Sequence, residues 1–437
     1  MDKLFGTDGV RGIVGKELGC ELAMNIGRCT AIVLGKGKYL MARDTRLSSD
    51  MLFMAVACGL CSMGCDVDDA GVLPTPGLSY LLLREEYAGG IMISASHNPW
   101  EYNGIKIFDG KGEKLSCDKE NEIEHLLFES RYWREYEKCG TANIVTHAQM
   151  DYAHHLYSLL DTDISELEIA VDCANGAASS VASMLFDLTG CRTHFIFCEP
   201  DGKNINDRCG STDMSQLSRY VRENHLDCGI AFDGDADRCL FTDEKGNRIS
   251  GDIIMALCAR DLASRGMLKG ERIIATVMSD PGLSEFCEGL GIKVELCNVG
   301  DRNVSLTMKK TGANLGGEES GHIIFGDMAT HGDGLLTSLM MLSVMARKKL
   351  PLSELVFDIP RYSTVTRNIR VTDREGIKEK VKEVNDEATK ELGNKGRAVV
   401  RVSGTESCIR ISVSTKDALF SEATADRIES RIREFLK

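Results

Sequence analysis

Six short apolar runs constrain this chain most: residues 39–44, 90–96, 169–175, 229–233, 272–278 and 293–297, each closing on or followed at once by small or polar residues. Runs of this length and β-branched content fit strands buried on both faces. Between them lie residues 49–64, 177–189 and 252–265, whose apolar positions recur at helical spacing. Strand–helix alternation at this period predicts α/β units with largely parallel sheets. In such folds ligands gather beyond the carboxyl ends of the strands. After Pro360 the texture changes. Residues 364–371, 399–401 and 408–414 read as strands, and 374–392 and 418–436 as amphipathic helices. No clear βαβ alternation joins them, which predicts a separate α+β domain of roughly 75 residues.

At ~100–200 residues per domain, 437 residues hold roughly two to four domains. The formal net charge of −14 argues against a general nucleic-acid binder, which needs a basic stripe. A phosphate site on such a surface must be a local basic island or use a metal. The opening Met-Asp-Lys-Leu-Phe-Gly has no apolar run behind a basic start, so no secretory signal is expected. The longest apolar stretch, residues 51–65, is too short to span a bilayer as a helix. A cytoplasmic soluble protein is the expectation. Seventeen scattered cysteines then read as reduced thiols. Cys58, Cys61 and Cys65 lack a grouped fourth ligand, so packing in a helix outweighs a metal site there.

Five loops carry the chemistry. In Gly90-Ile-Met-Ile-Ser94-Ala-Ser96-His97-Asn98-Pro99 a buried strand runs into small and polar residues and a helix-stopping proline. Ser96 then sits at the strand exit beside a potential proton carrier, His97, as nucleophilic catalysis requires. A plain turn explains the dipeptide equally well. Nucleophile-elbow spacing is absent, which counts against an α/β-hydrolase. Ala231-Phe-Asp233-Gly-Asp235-Ala-Asp237-Arg238 sets carboxylates at i, i+2 and i+4. They converge only around a cation, and oxygen ligands select Mg²⁺, Ca²⁺ or Mn²⁺. An EF-hand needs Gly where Arg238 stands, and a phosphatase D-x-D-x-T loop needs Thr where Asp237 stands. Gly316-Gly-Glu318-Glu-Ser320-Gly-His322 reads as a sugar-hydroxyl loop or a tight charged turn. Arg401-Val-Ser403-Gly404-Thr405-Glu-Ser-Cys-Ile-Arg410 offers an anion nest and two guanidinium forks, the basic island that the composition demands. Phe5-Gly-Thr-Asp-Gly-Val-Arg11-Gly presents Arg11 from a glycine-rich hairpin, and Lys106 follows the serine loop closely enough to share its site. No Walker A sequence is present.

Taken together in this order, the loops resemble the α-D-phosphohexomutase superfamily along nearly the whole chain, from Phe5 to Arg410. The resemblance implies three related α/β domains plus a C-terminal α+β domain around a central cleft, at residues 1–146, 147–247, 248–360 and 361–437. It implies a phosphoserine at Ser96 and one Mg²⁺ on Asp233, Asp235 and Asp237, with the Ser96 phosphate as a further ligand. Arg238, Glu318 and Ser320 would meet the sugar. Arg401, Ser403, Gly404, Thr405 and Arg410 would hold its phosphate. Arg11, His97, Lys106 and His322 would surround the transferring phosphoryl group, where proton-transfer roles are assigned. The implied activity is intramolecular phosphoryl transfer through a sugar bisphosphate. The opening motif and the run Gly321-His-Ile-Ile…Gly332-Asp333-Gly334 resemble the branch acting on glucosamine 6- and 1-phosphates, with glucose or mannose phosphates as the alternative. Ala236, Glu319, Val402 and Ser407 depart from that branch, and none removes a catalytic group. A metal-dependent phosphatase and a non-catalytic sugar-phosphate sensor are the rival readings. Expected partners are small hexose or hexosamine phosphates, with no nucleic acid or membrane, and a homodimer is the candidate assembly.

Overall fold

A computed structural model of the chain describes residues 4–6, 8–129, 138–371, 376–403 and 408–436. Three α/β units and a smaller α+β unit follow one another along it. The first is a seven-stranded sheet built from β1 (Phe5–Gly6), β2 (Gly9–Ile13), β3 (Lys38–Arg43), β4 (Asp66–Val72), β5 (Gly89–Ile93), β6 (Tyr102–Asp109) and β7 (Ala142–Ile144). Its order is β1-β2-β6-β5-β3-β4-β7. The second comprises β8 (Glu168–Asp172), β9 (Arg192–Ile196), β10 (Cys228–Phe232), β11 (Cys239–Asp243) and β12 (Arg248–Ile249), ordered β12-β11-β10-β8-β9. The third comprises β13 (Arg272–Thr276), β14 (Lys293–Cys297), β15 (Leu315–Gly317) and β16 (Ile323–Phe325), ordered β14-β13-β15-β16.

The expectation of largely parallel sheets needs correction: all three are mixed. β3 pairs in parallel with β4 and β5, β8 with β9 and β10, and β13 with β14 and β15. In each unit one further strand then turns back antiparallel: β5 onto β6, β10 onto β11, and β15 onto β16. The reason is the length of the functional loops. A parallel return needs a crossover of about a dozen or more residues, whereas these loops of five to eight residues close only a hairpin. The last unit is wholly antiparallel, with β17 (Ser363–Arg370), β18 (Gly396–Val402) and β19 (Cys408–Thr415) in the order β17-β19-β18. Its helices are Lys378–Leu392 and Ala418–Phe435.

The predicted helix over 177–189 opens instead as a 3-10 turn, Ala177–Ser180, followed by the helix Ala182–Thr189. Val181 breaks the α geometry, and the first amide of the turn donates to the Gly234 carbonyl across the sheet. One apolar cluster runs from Leu40 to Ile359 through the first three units, while Val365 to Ile432 form a cluster of their own in the last. All seventeen cysteines are free thiols. The packing reading of the cysteine group holds for Cys65, which is buried, but Cys58 faces solvent. Among the described residues, no helix is long and apolar enough to cross a membrane.

Candidate active site

Each chemistry-bearing loop joins two antiparallel strands as the turn of a hairpin. The serine loop joins β5 to β6, the triple-aspartate loop β10 to β11, the Glu318 loop β15 to β16, and the arginine loop β18 to β19. The N-terminal loop joins β1 to β2, and β2 carries Arg11 and pairs with β6 beside the serine loop.

Ser96 is buried and sits at φ +52°, in the left-handed region that costs a non-glycine residue roughly 1–2 kcal/mol. Its amide donates to Ser94 Oγ at 2.9 Å, and Ser94 Oγ in turn donates to Asp44 at 2.7 Å. The strained backbone delivers Ser96 Oγ to Asp233 Oδ2, to which it donates at 2.6 Å. His97 Nδ1 lies 3.2 Å from the same oxygen. Burial, then the charges of Arg238 and Arg11, push the His97 imidazole down to about 3, so it is neutral near pH 7.

Asp233, Asp235 and Asp237 are all buried, and one carboxylate oxygen from each lies within 4.8 Å of the others. Asp235 Oδ1 and Asp237 Oδ1 are shut off from solvent without a hydrogen-bond partner among the described residues. Burial, then the neighbouring Asp237 and Asp235, raise the pKa of Asp233. Asp237 is held well below the usual carboxylate range: burial opposes its charge, but Lys106, His322 and Arg238 outweigh it. Orphaned, converging oxygen donors suit a small hard cation, and Mg²⁺ fits such a donor set. Among the described residues this is the one group of acidic, histidine or cysteine side chains close enough to hold a metal.

Cations ring the aspartates. Lys106 is almost wholly buried, with Nζ 2.7 Å from Asp235 Oδ2, 2.8 Å from Asp8 Oδ2 and 3.9 Å from Asp237 Oδ2. Burial alone would favour its neutral form, but Asp235, Asp8 and Asp237 more than offset this and raise its pKa. Arg11 pairs with Asp8 and reaches Asn98 Oδ1 at 3.4 Å. The Arg238 amide donates to Asp233 Oδ1 at 3.2 Å. His322 Nδ1 lies 3.6 Å from Asp237 Oδ2, and the Gly332 amide donates to Nε2 at 3.1 Å. Only an unprotonated Nε2 accepts that bond, so Gly332 favours the tautomer with its proton toward Asp237. Asp237 and Asp301 pull the other way, toward a charged ring, and raise the His322 pKa against the effect of burial.

In the third unit, Glu318 Oε1 accepts from the Gly300 amide at 3.0 Å. Ser320 Oγ is shielded from solvent and has no partner among the described residues. In the last unit Arg401 and Arg410 stand opposite each other on β18 and β19, and the Ser403 amide donates to the Cys408 carbonyl at 2.8 Å. Burial and then Arg410 lower the Arg401 pKa, with the charges of Cys408 and Glu318 partly opposing them. Gly404, Thr405 and Ser407 lie outside the described residues.

Three charged residues at this site were missed by sequence reasoning. Asp8 bridges Lys106, Arg11 and Lys114. Lys114 is half-buried and also pairs with Asp301, at the start of the helix Asp301–Thr311. Asp8 belongs to the N-terminal motif and could have been weighed with Arg11. Lys114 and Asp301 carry no local signal, because their meeting depends on the docking of two units.

Four families cover the chain. Residues 2–133, 150–246 and 250–362 match the phosphoglucomutase/phosphomannomutase alpha/beta/alpha domains I, II and III, and residues 367–434 match the phosphoglucomutase/phosphomannomutase C-terminal domain. Phosphoglucosamine mutase of Bacillus subtilis (strain 168) is 43% identical, with 99% of each chain covered. Phosphoglucosamine mutase of Clostridium acetobutylicum is 44% identical over 95% of this chain and 96% of that one. Among solved structures, a phosphoglucomutase/phosphomannomutase family protein from Burkholderia thailandensis superposes with a TM-score of 0.83 at 25% identity, covering 99% of this chain and 97% of that one. Aspergillus fumigatus N-acetylphosphoglucosamine mutase, solved with GlcNAc-6P and magnesium, shares the fold with a TM-score of 0.69 at 17% identity, covering 99% and 96%.

Proposed function

The chain belongs to the phosphoglucomutase/phosphomannomutase family, and on that premise we propose that it interconverts glucosamine 6-phosphate and glucosamine 1-phosphate by relaying a phosphoryl group through Ser96. The observation that carries the relay is the 2.6 Å contact between Ser96 Oγ and Asp233, which come from different units. The full-length likeness to phosphoglucosamine mutases supports the choice of sugar.

Asp233, Asp235 and Asp237 would hold Mg²⁺, with the Ser96 phosphate as a further ligand, and the ion would draw negative charge off the transferring group. In the resting protein Ser96 carries the phosphoryl group. The sugar phosphate docks its own phosphate on Arg401, Ser403, Gly404, Thr405 and Arg410, where guanidinium forks match phosphate oxygens. Glu318 and Ser320 take sugar hydroxyls, and Arg238 faces them from the aspartate loop. The free hydroxyl oxygen then attacks phosphorus in line: a new P–O bond to the sugar forms and the bond to Ser96 Oγ breaks. The hydroxyl proton passes to an imidazole and back to the departing serine oxygen, which lies 3.2 Å from His97 Nδ1. His322 is the second imidazole within reach of the aspartates. Lys106, fixed between Asp235 and Asp8 and held protonated, acts as a standing positive charge rather than a base. Arg11 adds a second. The bisphosphate turns over in the cleft, and Ser96 Oγ attacks its other phosphorus, releasing the isomer and restoring the phosphoserine.

The test uses the purified chain with Mg²⁺. Glucosamine 6-phosphate should be converted to glucosamine 1-phosphate faster than the corresponding glucose and mannose phosphates react. Ser96→Ala should abolish turnover and remove the covalent phosphate seen by intact-mass spectrometry. Full activity in that variant sinks the relay. Release of inorganic phosphate without isomer would make the protein a phosphatase, and binding without isomerisation would make it a sensor.

A further inference from the structure

Ser96 is gripped by its carbonyl oxygen from two sides. On one side is Arg46, in the turn between β3 and the helix Ser49–Ser62, with its side chain wholly buried. Its Nη2 donates to the carbonyls of Ser96 and Asn98, both at 2.8 Å. Its Nη1 donates to those of Pro99 and Tyr102, the latter at 3.0 Å. Nε donates to Asp44 Oδ2 at 2.8 Å, which stops the guanidinium from rotating. On the other side is Asn206, from the unit that carries the aspartates. Its Nδ2 donates to the same two carbonyls, Ser96 at 2.9 Å and Asn98 at 3.1 Å. Gly234 seats the aspartate loop against this junction: a Cβ there would lie 2.5 Å from the Ser96 oxygen and 2.9 Å from Asn206 Nδ2.

These donors meet the backbone and not Ser96 Oγ, so they bear on the chemistry through geometry. Ser96 holds a conformation that a free chain would leave. Relaxation to negative φ would swing Cβ, and with it Oγ, away from Asp233. Phosphoryl transfer depends on in-line positioning, and a displacement of about 1 Å can cost ~100-fold in rate. A planar fork serving four carbonyls cannot be replaced by a single ammonium.

We propose that Arg46 and Asn206 are positioning residues for the phosphoryl relay, a two-sided clamp on the Ser96 and Asn98 carbonyls that makes the serine's reactive geometry conditional on the docking of the aspartate-bearing unit. The proposal rests on the relay reading given above.

The test compares Asn206→Asp, Arg46→Lys and Ser96→Ala with the parent protein. Asn206→Asp keeps size and tolerance for the left-handed backbone at φ +58° but replaces the donor with an acceptor. It should lower kcat about 10- to 100-fold and leave KM for glucosamine 6-phosphate within about twofold. It should also split or broaden the ³¹P resonance of the phosphoserine, a signature that a loss of stability alone would not produce. Arg46→Lys should act in the same direction. A folded Asn206→Asp protein with kcat within about twofold of the parent and one sharp resonance overturns the clamp, as does a rise in KM with unchanged kcat. If Arg46→Lys does not fold, the Asn206 result decides. Ser96→Ala separates the two ideas: an active Ser96→Ala protein removes the relay itself, whereas an inactive one beside an unimpaired Asn206→Asp protein removes only the clamp.

Discussion

Replacing Asp333 by Asn should stabilise the protein, and only above a definite pH. Asp333 caps the helix Gly334–Lys348: Oδ1 accepts from the Leu336 amide at 2.9 Å, and Oδ2 accepts from the Tyr152 hydroxyl at 2.8 Å. The side chain is buried, and burial pushes its pKa from 3.8 up to about 6, with the amide and the hydroxyl only partly opposing the rise. Below about pH 4 the carboxyl is protonated whether the helix is closed or open. Between pH 4 and 6 the open form has released its proton while the closed form keeps it, so stability falls as pH rises. Above about pH 6 both forms are ionised and the loss is complete. A shift of about two pH units corresponds to about 3 kcal/mol. Asn caps helices as well as Asp, and its amide can donate to the tyrosine oxygen, so the variant keeps both contacts without the buried charge. A small loss of charge–dipole attraction, ~0.3–1 kcal/mol, works against it. The expected gain is near zero at pH 4 and up to about 3 kcal/mol at pH 7. Hydrogen exchange of the amides in Gly334–Lys348, read by mass spectrometry, reports this local opening without requiring global two-state unfolding. A gain that does not change between pH 4 and 7, or a variant less protected at pH 7, would refute the reasoning.

Lys106→Met should lower the thermal midpoint, because removing one partner of a buried ion pair costs ~3–5 kcal/mol, and added Mg²⁺ should recover part of the loss by neutralising the aspartates. Gly332→Ala would set a Cβ 2.5 Å from the His322 ring, so kcat should fall about 100-fold in a protein with an unchanged circular dichroism spectrum. Arg401→Leu should raise KM about 10- to 100-fold with kcat nearly kept, since docking of the substrate's own phosphate is uniform binding, and steady-state kinetics would show it. Chelation by EDTA should stop isomerisation and Mg²⁺ should restore it, followed by coupled assay.

Much of the fold was legible because burial writes itself into local sequence. The run at 293–297 is β14 residue for residue, and the strands at 39–44, 169–175 and 229–233 lie within a few residues of β3, β8 and β10. The antiparallel returns were not anticipated, because a buried strand has the same apolar signature whichever way its neighbour runs. At the site, the serine and the aspartates declared themselves by unusual residue types at strand exits, and Ser96, His97, Arg11, Lys106 and His322 do gather around the aspartates. Lys114, Asp301, Arg46 and Asn206 did not, since each is an ordinary polar residue in a loop or, for Asp301, at a helix start. What makes them particular is a partner 50 to nearly 190 positions away, such as the Ser96 carbonyl for Arg46 or Asp301 for Lys114.

The hairpin tips bear on how such a protein can change over generations. Each tip hangs from an antiparallel pair whose register is set by the strands and not by the loop, so a substitution at the exposed Glu319 alters what meets the ligand without disturbing a sheet. Selection can therefore revise sugar recognition at that turn with a small inheritance of risk. The serine turn is the exception. With its carbonyls held from two other segments, it is the tip least free to drift.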